Sequence, residues 1–234
     1  MKQVIVFIHG AWQSSLAFNG VMALCRSKGL QCYALDLPGH GNNLMDFSHI
    51  SLTTYIDDVV HFLVSHHLID NVVLVGHSMS GMVISAVAER MKIAHCVYIA
   101  GFLPQSGDSL LSLAERFSGK GLSEFMQFDL KGCRIHLKKQ DVEKVLYNGC
   151  DPRGIERALR QLQDQPALPF NGVVTLGQQF AITPKTYIVC LQDKIILPED
   201  QRRMCATASL CRAVEIPAGH AAMLSHPEAI LDVL

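Results

Sequence analysis

The sequence contains no long hydrophobic segment. Within its 234 residues, the longest purely apolar runs extend over about five residues, whereas a helix that spans a bilayer needs roughly 20. The apolar run that begins at Val4 is also too short for the hydrophobic region of a signal peptide. We therefore expect a cytoplasmic protein with no membrane partner.

The chain also lacks an excess of charge of either sign. Its 20 Lys and Arg residues nearly balance its 21 Asp and Glu residues, and the formal net charge is −1. A protein that binds nucleic acid or an anionic surface through electrostatics needs a concentrated basic patch. We therefore expect no nucleic-acid partner.

The cysteines show none of the spacings that metal sites require. The eight cysteines form no C-x-x-C pair and no zinc-type pattern. Several, such as Cys96 and Cys190, lie within apolar runs that resemble strands. We interpret them as buried, reduced thiols and expect neither a metal site nor a disulfide framework.

Short apolar runs alternate with helical patterns along most of the chain. The run VIVFI at Val4 has no polar alternation, as expected for a strand that is covered on both faces. Five further strands follow, and Ser51 is placed to cap an amphipathic helix. This alternation predicts an α/β fold with a mostly parallel six-stranded sheet and helices on both faces.

The alternation is interrupted once, between Leu103 and Thr183. This stretch contains short helical patterns and several aromatic residues but no convincing buried strand. We therefore predict a core formed by residues 1–102 and 184–234, and a helical lid formed by residues 103–183. A lid of this kind would cover the carboxyl edge of the sheet, where open α/β sheets place their sites.

The stretch GHSMSG follows the third predicted strand and opens a helix. A strand, a tight turn with a serine and a helix form a nucleophile elbow, in which the residues two before and two after the nucleophile must be small. Gly76 and Ser80 flank Ser78 in this way, whereas Met82 would be too bulky a flank if Ser80 were the nucleophile. Ser78 is thus the candidate nucleophile; the alternative is a serine that only caps the helix.

A serine nucleophile needs a general base, and the base needs an orienting carboxylate. In this sheet type, the acid and then the histidine follow later strands. Asp193 is the first acid after the fifth strand, with Glu199 and Asp200 further along in a predicted helix start. His220 is the first ionisable residue after the sixth strand. We therefore predict a triad of Ser78, Asp193 and His220.

The oxyanion that forms during acyl transfer requires two backbone N–H donors. We expect one donor at Met79, directly after the nucleophile, and the other at Ala11, in the loop after the first strand. Apolar residues near these positions are candidates for the substrate pocket: Trp12, Phe102, Leu103 and the aromatic residues of the lid.

Together these motifs resemble the α/β-hydrolase fold, and more narrowly the branch that holds plant methylesterases, hydroxynitrile lyases and bacterial esterases. The resemblance covers nearly the whole chain except the lid. It is carried by VFIHGAW, ALDLPGHG, VVLVGHSMSGMVIS, YIAGFLP, LQDKIILPEDQRRM and GHAAMLSHPEAI. It implies the same triad and the same oxyanion donors, and the enzymes need no cofactor.

Two features of the sequence bear on the reaction. Ser80 stands where the family usually has the first of two glycines, and a serine is small enough for the turn. Gly10 and Ala221 stand where the hydroxynitrile lyases of this branch have Thr and Lys. The absence of this Thr and this Lys favours hydrolysis of a small, mainly apolar ester over lyase chemistry. A lyase, and a ligand-binding protein without activity, remain as alternatives.

The sequence does not identify the ester. It also leaves the oligomeric state open, with a homodimer as one candidate. Lid packing decides the pocket shape, and periodicity does not resolve it.

Overall fold

The computed structural model describes residues 3–117, 122–129, 131–138 and 140–234. Residues 1–2, which open the predicted core, and residues 118–121, 130 and 139 of the predicted lid lie outside the described residues.

Six parallel strands form the central sheet. They are Val4–Ile8 (β1), Gln31–Leu35 (β2), Val72–His77 (β3), His95–Ile99 (β4), Lys185–Cys190 (β8) and Cys211–Ile216 (β9). Their order is β2–β1–β3–β4–β8–β9, and every neighbouring pair is parallel. Every residue of β1, β3 and β8 is buried, because apolar side chains on both faces of these strands meet helices. The predicted six-stranded sheet is confirmed.

Helices fill the connections between the strands. Those of the described residues are Asn19–Ser27 (α1), Leu52–Ser65 (α2), Ser80–Arg90 (α3), Leu110–Phe117 (α4), Glu143–Leu146 (α5), Pro152–Gln161 (α6), Gln178–Ile182 (α7), Pro198–Thr207 (α8), Ala222–Ser225 (α9) and Pro227–Leu231 (α10). Helix α1 packs with α9 and α10, whereas α3 packs with α2 and α7. Ser51 caps α2 as predicted, in a reciprocal capping box with Thr54.

The segment 103–183, which we call the cap, differs from the helical lid that the sequence predicts. Besides helices α4 to α7 it contains a small antiparallel sheet. Its strands are Met126–Asp129 (β5), Arg134–Leu137 (β6) and Gln165–Pro166 (β7). Of β5 and β6, only Ile135 is buried, so these strands lack the buried apolar run by which the core strands are recognised.

No helix in the described ranges has both the length and the apolar character that a bilayer crossing requires. Among the described residues, no two cysteines are joined by a disulfide bond.

Candidate active site

The residues singled out in the sequence lie in loops at one edge of the central sheet. Because parallel strands all point the same way, their carboxyl ends meet at this edge. The loop after β1 carries Ala11 and Trp12, and the turn after β3 carries Ser78 and Met79. The loops after β8 and β9 contribute Asp193 and His220.

Ser78 occupies a strained turn between β3 and α3. Its φ angle of 51° lies in the left-handed region, which costs energy for any residue with a side chain. Hydrogen bonds to the neighbouring strand end hold it there. The Ser78 amide donates to the Ile99 carbonyl at 3.2 Å, and the Phe102 amide donates to the Ser78 carbonyl at 3.0 Å. This conformation is that of a nucleophile elbow.

The tight turn explains which neighbours of Ser78 must be small. A Cβ atom at Gly76 would lie 2.9 Å from the Ser80 carbonyl oxygen, which is too close. A Cβ atom at Gly81 would overlap the Phe102 carbonyl. Gly76 and Ser80 are the small flanks that the sequence predicts. Gly81 was not predicted, although the backbone of Phe102 approaches it more closely than any atom approaches Gly76.

The hydroxyl of Ser80 reaches the loop after β1. Ser80 is fully buried, and its Oγ donates a short hydrogen bond to the backbone carbonyl of His9. The serine that distinguishes this elbow from the GHSMGG pattern therefore does more than fill space. It links the start of α3 to the loop that carries Ala11.

We expect the Ser80→Ala variant to be less stable than the wild type by about 1–3 kcal/mol, because the buried His9 carbonyl would lose its side-chain donor. Urea unfolding monitored by circular dichroism measures this difference. Ser27→Ala is the matched control, because it also removes a hydroxyl that donates to a backbone carbonyl, that of Leu24, but at an exposed site, and its effect should stay within about 0.5 kcal/mol. Equal stability of Ser80→Ala and wild type would contradict the role assigned to this hydroxyl.

Asp193 and His220 form a buried pair. His220 Nδ1 lies 2.8 Å from Asp193 Oδ2, and the exposed fractions of their side chains are 1% and 0%. Asp193 Oδ1 accepts hydrogen bonds from the amides of Ile195 at 2.7 Å and Ile196 at 3.2 Å. Asp193 Oδ2 also accepts from Gln201 Nε2 at 2.9 Å. Four donors thus satisfy the carboxylate, which makes it a well-fixed acceptor for an imidazole N–H.

The other two acids considered in the sequence lie elsewhere. Glu199 and Asp200 are in the first turn of α8, where the helix dipole favours negative charge. Asp200 faces Arg203 at 3.3 Å. The structure therefore pairs His220 with Asp193.

The two predicted oxyanion donors lie beside Ser78. Ala11 and Met79 both border the same cavity as Ser78. Within the described part of the chain, no hydrogen bond occupies either amide. By contrast, the next amide, that of Trp12, donates to Gln165 Oε1 at 3.2 Å. Of the two consecutive amides, that of Ala11 is therefore the one available to a ligand.

A cavity of about 400 Å³ opens above Ser78 between the core and the cap. Trp12 and Phe102 line it, as predicted. Most of its cap lining is apolar: Leu110, Leu111, Leu122, Met126, Phe128 and Phe170. Among the described residues, the polar side chains along its wall, apart from Ser78, are Glu115 and Ser123. This volume and lining suit a small apolar molecule.

Leu103 does not belong to the lining of this cavity. It is buried and borders a separate cavity together with Phe180. Leu103 directly follows Phe102, and adjacent side chains on a chain leaving a strand point to different sides. Leu103 was predicted to line the substrate pocket, but it faces this separate cavity instead.

His77 fills the space beside Gly10. Its Nε2 lies 3.0 Å from the His220 carbonyl, and its Nδ1 lies 3.0 Å from Gln13 Oε1. A Cβ atom at Gly10 would lie only 2.6 Å from His77 Nδ1. A threonine therefore does not fit at position 10 unless the imidazole of His77 moves.

Three fully buried histidines lie under the site. Burial lowers the pKa of His9 to about 3 and that of His40 to about 4. Burial, and then the nearby His220, lower the pKa of His77 well below its ordinary value. All three are neutral in the folded protein at neutral pH.

Because the pKa values of these three histidines are lowered in the folded protein, we expect the protein to lose stability in mild acid. Below pH 6.5 the unfolded chain binds protons at these positions, whereas the folded protein does not, so the free energy of unfolding falls as the pH falls. Three such groups give a slope of about 2 kcal/mol per pH unit at pH 6.5, which approaches a limit of about 4 kcal/mol per pH unit near pH 5. Asp58 and Asp200 oppose this nearer pH 4, because burial raises their pKa values.

Urea unfolding at pH 7.5, 6.0 and 5.0 measures this slope. The His40→Gln variant should reduce this slope by about 1.4 kcal/mol per pH unit, which corresponds to one proton. The glutamine side chain binds no proton in the folded or the unfolded state. A free energy of unfolding that stays constant across this range would contradict the prediction.

Two buried glutamines that contact the site are not among the residues predicted from the sequence. Gln201 donates to Asp193, and Gln165 accepts from Trp12. A signal exists for Gln201, because it shares a helix face with the apolar Met204 and Cys205 at the spacing i, i+3 and i+4. No comparable signal marks Gln165, which lies in a two-residue strand.

Comparison with known proteins gives this fold a family. The model of the alpha/beta hydrolase family matches residues 5–233. Salicylic acid-binding protein 2 of Nicotiana tabacum is 27% identical over 241 residues, covering 95% of this chain and 92% of that protein. A carbendazim hydrolyzing esterase of Nocardioides sp. strain SG-4G is 37% identical over 111 residues, which is only 46% of each protein.

A crystal structure of similar fold extends over the whole chain. The pyrethroid hydrolase of Sphingobium faniae JZ-2 superposes with a TM-score of 0.87, covering 100% of this chain and 96% of that chain at 22% identity. At this identity the likeness shows the fold.

Proposed function

The chain belongs to the alpha/beta hydrolase family, and from this premise we propose that it is a cofactor-free serine hydrolase that cleaves a small, mainly apolar carboxylic ester. The observation that carries the proposal is the strained Ser78, placed beside two unoccupied amides at the floor of an apolar cavity. The buried Asp193–His220 pair supports it. Esterases among the relatives favour ester hydrolysis over other chemistry of the fold.

The reaction begins when Ser78 Oγ attacks the ester carbonyl carbon. His220 Nε2 takes the serine proton, and Asp193 holds Nδ1–H and stabilises the imidazolium. The carbonyl oxygen becomes an oxyanion and accepts hydrogen bonds from the amides of Ala11 and Met79. The intermediate then expels the alcohol, which takes the proton from His220 and leaves an acyl group on Ser78.

Water completes the cycle. His220 removes a proton from the water as it attacks the acyl carbon, and the oxyanion forms again in the same place. Collapse releases the carboxylic acid and returns the proton from His220 to Ser78. The apolar side chains around the cavity bind the apolar parts of the ester by excluding water.

Lyase chemistry with the same residues is disfavoured by two positions. At position 10 the neighbouring His77 leaves no room for a threonine side chain. Ala221, where such lyases have a lysine, is buried and carries no charge, so its side chain could not stabilise a departing anion.

The test is a turnover assay with p-nitrophenyl acetate, butyrate and octanoate, combined with labelling by a fluorophosphonate. We expect turnover of the esters and one phosphonyl adduct, located on Ser78 by peptide mass spectrometry. An apolar cavity should favour butyrate over p-nitrophenyl hemisuccinate, which has a similar length and carries a carboxylate. Cyanide release from mandelonitrile without ester turnover, or labelling at another residue, would contradict the proposal.

A further inference from the structure

Trp12 has an unfavourable backbone conformation next to the predicted oxyanion donor. Its φ angle is 60°, which is uncommon for a bulky aromatic residue and persists only where surrounding contacts hold it. Trp12 immediately follows Ala11, so the contacts that hold Trp12 also determine where the Ala11 amide points.

Among the described residues, three hydrogen bonds hold Trp12, and all of them come from the cap. The Trp12 amide donates to Gln165 Oε1 at 3.2 Å, and the indole Nε1 donates to the Ile135 carbonyl at 2.9 Å. The Trp12 carbonyl accepts from the Gln163 amide at 3.0 Å. One of these partners, Gln165, acts through its side chain.

The amide group of Gln165 is itself fixed in orientation. Gln165 is fully buried, and its Nε2 donates to Tyr55 Oη at 3.0 Å and to the Pro166 carbonyl at 2.9 Å. These two acceptors hold the nitrogen on one side, so the oxygen faces Trp12. Tyr55 lies in α2 of the core. Gln165 therefore connects the core and the cap with the loop after β1 that carries Ala11 and Trp12.

The peptide groups on both sides of Ala11 are thus held in place. The Gly10 carbonyl, which belongs to the same peptide group as the Ala11 amide, lies 2.8 Å from His9 Nδ1. The following peptide group, which contains the Trp12 amide, is held by Gln165. With the Trp12 amide occupied, only the Ala11 amide is left to face the cavity.

We propose that Gln165 is a positioning residue for the oxyanion hole, through which the cap sets the orientation of the Ala11 amide. This inference rests on the proposed function. Without the Gln165 oxygen, the Trp12 amide would be buried without an acceptor. The loop would then turn to satisfy it, and the Ala11 amide would move away from the position that the oxyanion occupies in the transition state.

The test uses Gln165→Met, which keeps the length of the side chain but removes both the acceptor and the donors. The matched control is Gln178→Met, an exposed glutamine in α7 of the cap that takes no part in these hydrogen bonds. We expect Gln165→Met to lower kcat by about 10- to 100-fold with less than about a threefold change in KM. Gln178→Met should leave both near the wild-type values.

A pair of inhibitors separates positioning from a general loss of structure. An alkyl trifluoromethyl ketone adds Ser78 Oγ to its carbonyl carbon, with the serine proton passing to His220, and its oxygen becomes an oxyanion in the hole. The matching alkyl methyl ketone fills the same cavity without this addition. We expect Gln165→Met to weaken binding of the trifluoromethyl ketone by about tenfold or more. Binding of the methyl ketone should weaken by less than about threefold.

Gln165→Asn is the second variant, and it carries the test if Gln165→Met does not fold. It retains a buried amide but is one methylene shorter, so its oxygen cannot reach the Trp12 amide. It should show the same selective loss. Unchanged kcat, or equal weakening of both ketones, in the folded variant would overturn the inference while leaving the wild-type esterase activity intact. Absence of ester turnover in the wild type would instead overturn the proposed function, and the inference with it.

Discussion

The Ser78→Ala variant is expected to fold normally and to hydrolyse p-nitrophenyl butyrate at a kcat lower by roughly three or more orders of magnitude. In the proposed mechanism, the Ser78 hydroxyl is the group that bonds to the acyl carbon. Ser80, the other serine of GHSMSG, is fully buried and donates to the His9 carbonyl. The two serines therefore differ in a way that activity measurements can distinguish.

The measurement compares kcat, KM and fluorophosphonate labelling of the wild type, Ser78→Ala and Ser80→Ala. Alanine tolerates the left-handed conformation at position 78 about as well as serine does, so thermal unfolding should change little. Ser80→Ala should be less stable but keep most of its turnover and its label. Turnover in Ser78→Ala within about tenfold of the wild type would rule out Ser78 as the nucleophile.

The core could be predicted from the sequence because its strands carry a strong physical signal. Strands such as Val4–Ile8 and Val72–His77 are buried on both faces, and this requires uninterrupted apolar runs. Order along the chain then places the residues that follow each strand at one edge. Ser78, Asp193 and His220 were predicted in this way, since each is the first reactive side chain of its type after a strand, and the structure places all three at that edge.

The cap could not be predicted to the same depth because its strands lack that signal. The strand Met126–Asp129 has no buried residue, and Gln165–Pro166 is only two residues long. Pairing between such short strands depends on tertiary contacts that periodicity does not report. Of the lid aromatics that the sequence offered as pocket candidates, Phe128 and Phe170 line the cavity. The aliphatic part of the cap lining, and the contact of Gln165 with Trp12, are evident only in the structure.

The Asp193→Asn variant should lose most of its activity through the wrong protonation of His220. The amides of Ile195 and Ile196 face one side of the side chain, and they require an oxygen there. The new NH2 group must then face His220 Nδ1, and its hydrogen makes Nδ1 an acceptor. The ring proton moves to Nε2, which faces Ser78 in the proposed mechanism and can no longer take the serine proton.

We expect kcat of Asp193→Asn to fall by about three to four orders of magnitude at neutral pH, with KM nearly unchanged, because the carboxylate contacts no part of the substrate. Steady-state kinetics on p-nitrophenyl butyrate measures this. Gln201 Nε2 also donates to Asp193 Oδ2 at 2.9 Å, and its hydrogens would oppose the new NH2 group. We therefore expect a loss of stability as well, of about 1–3 kcal/mol.

Asp200→Asn is the matched control, since Asp200 lies seven positions further along and was the competing acid in the sequence. Its carboxylate faces Arg203 at the start of α8 and not the imidazole. The control should therefore hydrolyse the ester at close to the wild-type rate. If Asp200→Asn lost activity and Asp193→Asn did not, the base would depend on the other carboxylate, and the pairing of Asp193 with His220 would have no part in the reaction.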